Sequence, residues 1–283
     1  DWSGVFSQAR AEDPDRTYVT LTNTVGRSAG AEGDAVSGDI WSQEKNILKT
    51  LPKSAERRFQ HNKDTDWAGY INLAYDTRFG DKLDALWKAG AQYRRKERSN
   101  RFYSYIFNPA DISQQLDGNG YEQFANVDWV CKTPYSQASQ LNYDSKEHIG
   151  GVYAMATLSS ALGELNVGLR AEHTNQIYTM LQHFRNMGQV GEQSYWDYLP
   201  SASIKWTPTK KMNVRLSYYR SINRPGFYEI VPYQIQGEEY QEKGNPELKR
   251  ARIDNIDLRW EWFPSSTEQI LAGVFYKYLK NPI

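Results

Sequence analysis

One repeated pattern restricts the fold of this chain most strongly: apolar or aromatic residues alternate with charged residues over long segments. In "GLRAEHT" the charged residues are Arg170 and Glu172, and in "DLRWEWF" they are Arg259 and Glu261. Successive side chains of a β-strand point to opposite faces of the sheet. Period-two alternation of this kind therefore predicts strands with one charged face and one apolar face.

The alternation predicts about ten strands of this type. Eight are well defined, at 66–79, 83–97, 147–160, 165–172, 198–208, 212–221, 255–262 and 269–279. The two opening segments, "WSGVFSQAR" and "RTYVTLTNTV", are predicted to form a further pair across the turn "AEDPD".

The connections between these strands alternate strictly between short and long. Short turns are predicted around Gly80, Gly163, Pro208 and Pro264, and long polar segments at 26–64, 99–146, 175–194 and 221–250. In an antiparallel meander this alternation gathers the long connections at one rim of the sheet. Soluble sandwiches have no reason to sort their connections in this way, whereas outer-membrane barrels have short periplasmic turns and longer extracellular loops. Strands of about ten residues are also long enough to cross a bilayer at a tilt.

The predicted fold class is therefore all-β: an antiparallel up-and-down meander of about ten long strands, part of a larger transmembrane β-barrel. Its apolar face, with Trp206, Trp260 and Trp262, is predicted to meet lipid. The polar residues predicted to face the lumen are Arg94, Arg170, Glu172, Arg215, Asp257, Arg259 and Glu261.

Composition argues against several classes of function. The 34 basic and 34 acidic residues cancel, so the chain has no general attraction for nucleic acid. No Ser, Cys or carboxylate stands in a recognised nucleophile motif, and the only cysteine, Cys131, cannot form an internal disulfide. The histidines His61, His148, His173 and His183 are far apart in sequence. We therefore expect no enzyme activity, no cofactor and no metal site.

Two downstream phrases carry a resemblance to a known family. "YYRSINRPGFYEIVPY" contains Arg224-Pro225, and "GNPELKRARIDNIDLRWEWFPSS" begins with Gly244-Asn245-Pro246-Glu247-Leu248. In this order they resemble the barrel of TonB-dependent receptors of the outer-membrane β-barrel family. "YLPSASIKWTP" and "FGDKLDALWKAGAQYRRK" are similar to the same family, so the likeness runs from about Trp67 to the end of the chain.

The resemblance implies active import across the outer membrane of a Gram-negative bacterium. In such receptors a barrel of about 22 strands surrounds a plug, and the TonB complex acts on the plug to admit a ligand. Residues 1–283 would then be a partial barrel, with the plug domain and the remaining strands absent and TonB engaged through that missing region. The ligand would be a scarce small molecule, glycan or peptide, such as a siderophore or cobalamin. The lipid bilayer is the other expected partner.

Candidate ligand contacts come from the long polar segments. Exposed aromatic rings give a large contact area at a small entropic cost, and the candidates are Tyr121, Phe124, Trp129, Tyr195, Trp196, Tyr228, Tyr233 and Tyr240. These rings could equally pack the loops against one another. Arg224 also has two interpretations: a tie to a carboxylate on the lumen wall, beside a proline that ends strand pairing, or a ligand contact.

Two other classes of protein stay open at this point. A passive porin-like channel would share the barrel but lack a plug. A soluble sheet-rich module that binds glycans would share the alternating strands.

Overall fold

The computed structural model describes residues 1–24, 49–111, 126–134, 141–181, 189–236 and 240–282. Most of the described chain is extended, which confirms the predicted all-β class. The strands are β1 (Trp2–Thr24), β2 (Lys49–Phe79), β3 (Leu83–Pro109), β4 (Trp129–Pro134), β5 (Tyr143–Ser160), β6 (Gly163–Met180), β7 (Val190–Thr209), β8 (Met212–Asn223), β9 (Gln234–Gln236), β10 (Gln241–Lys243), β11 (Ala251–Trp262) and β12 (Ile270–Lys280).

These strands form the predicted meander. Ten of them make one sheet in the order β1-β2-β3-β5-β6-β7-β8-β11-β12, with β4 paired to β3. The strand pairs from β3 to β12 are antiparallel, and β9 and β10 form a separate two-stranded sheet. The one described helix, α1 (Phe227–Ile230), lies between β8 and β9. Within the described residues, no helix is long and apolar enough to cross a bilayer.

The contacts divide the chain into two compact units. The first contains Asp1–Arg10, Asn62–Asn100 and Gln140–Ile283, and the second contains Ala11–His61 and Arg101–Ser139. The first unit holds β5 to β12 together with parts of β1, β2 and β3, and it contains the candidate site.

The predicted hairpin at the start of the chain is wrong, because β1 runs without a turn through the "AEDPD" segment. Pro14 lies inside this strand, and proline is accepted in a strand at a sheet edge, where its missing N–H leaves no ladder bond unmade. The neighbouring charges are paired: Arg57 Nε donates to Asp15 Oδ1 at 3.1 Å, and Arg16 lies 2.9 Å from Asp13.

Several strands extend into segments predicted as long connections. β2 already begins at Lys49, β3 continues to Pro109, and β5 begins at Tyr143. β6 continues to Met180 and β7 begins at Val190. Beyond the bilayer both faces of a strand can meet polar surroundings, so the backbone ladder continues where the apolar–polar alternation stops.

The apolar residues of the alternating segments lie on an exposed face. Trp87 is 45% exposed, Leu169 52% and Leu216 46%, although a fully folded soluble sheet would bury side chains of this size. The register places Trp87 opposite Ala156, and Val167 also opposite Ala156, so one apolar band crosses neighbouring strands. This is the face predicted to meet lipid.

The opposite face contains a position where only glycine fits. A Cβ on Gly90 would lie 2.5 Å from the Tyr153 ring and 2.6 Å from the carbonyl oxygen of Ile71. The Tyr153 ring therefore crosses the Gly90 backbone, and its hydroxyl donates to Asn72 Oδ1 at 2.8 Å. Cross-strand packing of this kind connects β2, β3 and β5.

Candidate functional site

A buried carboxylate, Glu172, lies at the centre of the candidate site. Alternation along β6 places Arg170, Glu172 and Thr174 on one face of the strand. Arg170 Nε donates to Glu172 Oε1 at 2.5 Å. Arg224, just beyond the end of β8, donates through Nη2 to Glu172 Oε2 and through Nε to Thr174 Oγ1, the latter at 3.0 Å. We call Arg170, Glu172, Thr174 and Arg224 the upper cluster.

Glycine makes room for this cluster as well. Gly151 on β5 lies opposite Glu172, and a Cβ there would be 2.8 Å from Arg170 Nη2. Thr174 and Glu172 are almost fully buried, with relative exposures of 0% and 7%. Burying a charged carboxylate without partners costs a large free energy. The hydrogen bonds from Arg170 and Arg224 offset this cost and fix the position of Glu172.

The 224–250 connection between β8 and β11 is held against the wall of β5, β6 and β7 at both ends. Next to Arg224, the carbonyl oxygen of Pro225 accepts a hydrogen bond from Gln176 Nε2 at 3.1 Å. At the other end, Arg250 Nε donates to both carboxylate oxygens of Asp197 at 2.7 Å, and Asp197 is 1% exposed. The backbone direction of this connection is therefore set by side chains of the sheet.

Two further hydrogen bonds hold the later part of the connection. Gln193 Nε2 of β7 donates to the carbonyl oxygens of Pro246 and Leu248, at 2.8 and 3.0 Å. Arg250 also lies over the ring of Tyr195, with its guanidinium carbon 4.0 Å from the ring centroid. Such a cation–π contact adds to the ion pair with Asp197.

The G-N-P-E-L phrase explains how the connection folds on itself. Gly244 N donates to Tyr233 O at 3.1 Å and Asn245 N donates to Glu229 O at 2.7 Å. A Cβ on Gly244 would lie 1.8 Å from the carbonyl oxygen of Val231, so only glycine allows this approach. Asn245 Oδ1 then accepts the backbone N–H of Glu247 at 3.0 Å, which closes a local turn.

Two tyrosines pack inside the connection. The rings of Tyr228 and Tyr233 are 4.5 Å apart, and Tyr233 is 2% exposed. Burial raises the pKa of Tyr233 well above its usual range, and the hydrogen bond with Tyr228 raises it further. Burial raises the pKa of Tyr228 as well. Both hydroxyls therefore stay protonated at neutral pH. The third tyrosine of the connection, Tyr240, lies on the surface and is 70% exposed.

A polar cavity of about 360 Å³ lies beside the upper cluster. Its lining comes from β3, β5, β6, the end of β8 and the first residues of the 224–250 connection. Apolar surface comes from residues such as Ile149 and Phe227, and the polar lining residues are Arg94, Lys96, Arg98, Glu147, Gln176, Asn223 and Arg224. Four cationic side chains and one carboxylate, that of Glu147, therefore line this cavity.

Carboxylates of β2 orient the β3 cations. Arg94 Nε donates to both oxygens of Asp66, at 3.0 and 2.9 Å, and Arg98 donates to Asp64 through Nε at 2.7 Å and Nη2 at 2.6 Å. Although burial raises the pKa of the Asp64 carboxyl, the hydrogen bonds and charge of Arg98 lower it below its usual value. Asp64 therefore stays ionised throughout the neutral range.

A second arginine–glutamate group lies on β8 and β11. Arg215 and Arg259 are directly opposite each other in the register, and Glu261 lies 3.2 Å from the first and 3.1 Å from the second. Asn213 Nδ2 also donates to Glu261 at 3.2 Å. We call Asn213, Arg215, Arg259 and Glu261 the lower cluster. It lies close to the short turn between β7 and β8, and its members all belong to strands.

The structure brings together some of the predicted residues and separates others. Arg170, Glu172 and Arg224 meet in the upper cluster, and Arg215, Arg259 and Glu261 meet in the lower cluster. Arg94 lines the cavity, whereas Asp257 is half-buried on β11. The lumen-facing assignment of these residues stays a prediction.

The predicted loop aromatics have several different placements. Tyr195 and Trp196 lie in β7 and Trp129 lies in β4, so their assignment to loops is wrong. Tyr228 lies in α1, and Tyr233 and Tyr240 lie in the 224–250 connection. Tyr121 and Phe124 lie outside the described residues.

Sequence reasoning missed several polar residues of this site: Asp64, Asp66, Lys96, Arg98, Gln176, Asp197 and Arg250. Alternation was a usable signal on β3, because Arg94, Lys96 and Arg98 continue the polar positions of Lys88 and Gln92. No local signal marks Asp197, since its partner Arg250 is 53 residues away.

In the described part of the chain, no group of three or more His, Cys, Asp or Glu residues could hold a metal ion. Cys131 is an exposed free cysteine in β4. The arrangement can hold a peptide segment in place and can offer cationic donors to a ligand.

Comparison with known proteins identifies the family. The model of the outer membrane protein beta-barrel family matches residues 41–283. The chain belongs to this family, which confirms the resemblance carried by the R-P and G-N-P-E-L phrases and by the strand pattern. It also locates the chain in the outer membrane of a Gram-negative bacterium. This is a family of membrane barrels and not of enzymes.

The solved structures that align with this chain include receptors and transporters of metals and siderophores. The unliganded ferric citrate transporter FecA aligns with 80% of this chain and 31% of its own, at 12% identity and a TM-score of 0.47. The siderophore receptor PiuA from Acinetobacter baumannii aligns with 83% of this chain and 46% of its own, at 10% identity and a TM-score of 0.44. The copper transporter OprC aligns with 81% of this chain and 38% of its own, at 10% identity and a TM-score of 0.39.

The chain therefore spans only 31% of the length of FecA and 46% of the length of PiuA. No curated protein sequence matches it.

Proposed function

We propose that this chain forms part of the barrel of a TonB-dependent receptor that captures a scarce nutrient at the cell surface and imports it. The observation that carries the proposal is the 224–250 connection, which arginines at both ends hold against a charged wall beside a polar cavity. A passive pore does not depend on a preorganised binding segment, because it needs no affinity for its solutes. A receptor needs one, because a preorganised surface loses less entropy when ligand binds.

The location of the site supports the same proposal. The connections at 25–48, 110–142, 181–189 and 224–250 are all longer than the turns at 80–82, 161–162, 210–211 and 263–269. Since neighbouring strands are antiparallel, the strand ends that the longer connections join lie at the same rim of the sheet, which is the extracellular rim in outer-membrane barrels. The upper cluster and the cavity lie towards this rim, where ligand would arrive.

The rest of the receptor is part of the proposal. We propose that residues 1–283 supply one section of a large barrel, that further strands complete it, and that a plug domain inside it contacts TonB. FecA is a ferric citrate transporter, PiuA is a siderophore receptor and OprC is a copper transporter. For this chain the cargo classes remain siderophores, cobalamin, glycans and peptides.

Uptake in whole cells tests the proposal. The full-length receptor is expressed in a strain that lacks its own nutrient receptors, with and without TonB, and the cells receive radiolabelled ferric siderophore, cobalamin, oligosaccharide or peptide. We expect uptake of one probe to require both the receptor and TonB. The passive alternative predicts uptake that is independent of TonB, together with swelling of liposomes that contain the purified protein in solutions of small sugars.

A further inference from the structure

The cavity beside the 224–250 connection carries more positive charge than its ion pairs need. Asp64, Asp66, Glu147 and Glu172 lie in it or directly behind it, and so do Arg94, Lys96, Arg98, Arg170 and Arg224. This is one more cation than carboxylate. A set of purely structural pairs would have no reason to gather that excess around an open space.

Three arginines of the cavity each donate two neighbouring N–H groups to side-chain oxygens of the wall. Asp66 takes the Nε and Nη2 edge of Arg94, and Asp64 takes the same edge of Arg98. Thr174 and Glu172 take the Nε and Nη2 groups of Arg224. The Nη1 groups take no part in these bonds, and Arg98 has a further side-chain hydrogen bond with Tyr143. A guanidinium fixed along one edge presents its remaining donors in a defined direction, which lowers the entropic cost of binding a ligand.

Lys96 is held much more loosely than the arginines. Its ammonium lies 3.7 Å from Asp64 Oδ2, which already accepts a bond from Arg98 at 2.6 Å. Across the strand pair Lys96 is opposite Glu147, but Glu147 Oε2 accepts its own hydrogen bond from Gln176 Nε2 at 2.7 Å. The ammonium has three donors and can turn towards an incoming anion.

The space is large enough for part of a small molecule. A volume of about 360 Å³ corresponds to roughly a dozen water molecules at about 30 Å³ each. Partial burial of Arg98 and Arg224, with side-chain exposures of 29% and 20%, strengthens their attraction for an anion over that of fully hydrated groups.

We propose that this cavity binds an oxyanion group, a carboxylate or a phosphate, of the imported ligand, with Arg94, Lys96, Arg98 and Arg224 as its donors. The inference rests on the proposed receptor function and restricts the cargo to anionic molecules. Charge-assisted hydrogen bonds from several donors to one oxyanion are short and strong. The Glu147 carboxylate repels a second anionic group but can accept a hydrogen bond from a ligand hydroxyl. The preferred ligand therefore carries hydroxyl groups beside its anionic group.

Calorimetry on the full-length receptor in detergent tests the inference with simple probes. The probes are tricarballylate, inorganic pyrophosphate and glucose, and glucose has the same number of carbon and oxygen atoms as tricarballylate but no charge. We expect at least one anion to bind at least tenfold more tightly than glucose, with an affinity that falls in high salt. The stronger of the two anions identifies the carboxylate or the phosphate as the recognised group.

Lys96→Gln is the decisive variant, because Lys96 has the weakest role in the wall pairs. Lys88→Gln is the matched control, since Lys88 is an exposed lysine at the same parity of β3 but outside this cavity. We expect Lys96→Gln to weaken anion binding about tenfold and Lys88→Gln to leave it unchanged. Equal binding of anions and glucose, or equal effects of the two substitutions, would overturn the inference.

The two proposals fail in different ways. TonB-dependent uptake of a neutral probe, with no anion bound in the cavity, would overturn the anionic cargo and leave the receptor function intact. Anion binding sensitive to Lys96→Gln, without TonB-dependent uptake of any probe, would leave the cavity assignment intact and overturn the receptor function.

Discussion

The upper and lower clusters begin from the same sequence pattern and are built differently. Each has an arginine and a glutamate two residues apart on one strand, Arg170 and Glu172 in the first and Arg259 and Glu261 in the second. The third charge in the lower cluster, Arg215, comes from the neighbouring strand, so the cluster braces strands only. In the upper cluster it is Arg224, which begins the 224–250 connection. The partner that completes the pattern therefore decides whether it stabilises the sheet or positions a binding segment.

The sharpest test of this difference substitutes the two glutamates. Glu172→Gln removes the carboxylate shared by Arg170 and Arg224, and loss of one partner from a buried ion pair costs roughly 3 kcal/mol. We expect the 224–250 connection to leave the wall, and trypsin to cleave the native full-length protein at Lys243 at least tenfold faster.

Glu261→Gln is the control for that experiment. It should lower the thermal unfolding temperature, because Arg215 and Arg259 then face each other without a shared carboxylate. Cleavage at Lys243 should stay at the wild-type rate. Equal cleavage of the two variants would contradict the different roles of the clusters.

Gly244→Ala tests whether the connection also depends on its own fold. The added Cβ would meet the carbonyl oxygen of Val231 at 1.8 Å, and overpacking of this kind costs about 2 kcal/mol. We expect the backbone amides of the connection to exchange roughly tenfold faster in hydrogen–deuterium exchange. Gly69→Ala is the matched control because nothing lies within 4 Å of its added Cβ. Unchanged exchange in Gly244→Ala would show that the charge pairs alone hold the segment.

Gln193→Ala is expected to have a smaller effect, confined to the far end of the connection. It removes two hydrogen bonds to the carbonyl oxygens of Pro246 and Leu248, worth about 1 kcal/mol each. Exchange protection should fall around Leu248 and stay unchanged near Arg224. A loss of protection at both ends would show that the connection moves as one piece.

Acid should produce the smallest effect, at Asp64. Because Arg98 holds the folded pKa of Asp64 below its usual value, Asp64 contributes stability above about pH 4. That contribution is lost as the pH falls through the lowered folded value. The difference in unfolding temperature between wild type and Asp64→Asn should therefore shrink below about pH 4. A difference that stays constant with pH would mean that the Asp64 charge does not stabilise the fold.

Much of the fold could be predicted from the sequence, because membrane strands need a strict period of two over many residues. The segments around Trp87, Leu169 and Leu258 carry that pattern and lie in strands as expected. The pattern failed in β1 and at the rim ends of β2, β3, β6 and β7. There the ladder continues between polar faces, and backbone hydrogen bonds leave no periodic signal.

The candidate site was predictable only in part. Arg170, Glu172 and Arg224 could be singled out from local motifs, since an arginine beside a proline at a strand end suggests a tie to the wall. The contacts of Asp197 with Arg250 and of Asp64 with Arg98 join distant segments, and a single sequence holds no information on which segments meet. The sequence predicts a loop at Tyr195 and Trp196, because polar neighbours mask the alternation of their strand.

Spin labels on neighbouring residues of β8 test the central claim most directly: that one face of the sheet meets hydrocarbon and the other meets water. The native Cys131 is first replaced by serine, and a nitroxide is then attached to Leu216→Cys or to Ser217→Cys in the full-length protein in liposomes. Frequent collision of the nitroxide with oxygen indicates that it lies in lipid. Frequent collision with a water-soluble nickel chelate indicates that it lies in water. The account predicts oxygen-dominated relaxation at position 216 and nickel-dominated relaxation at position 217, and the same balance at both positions would contradict it.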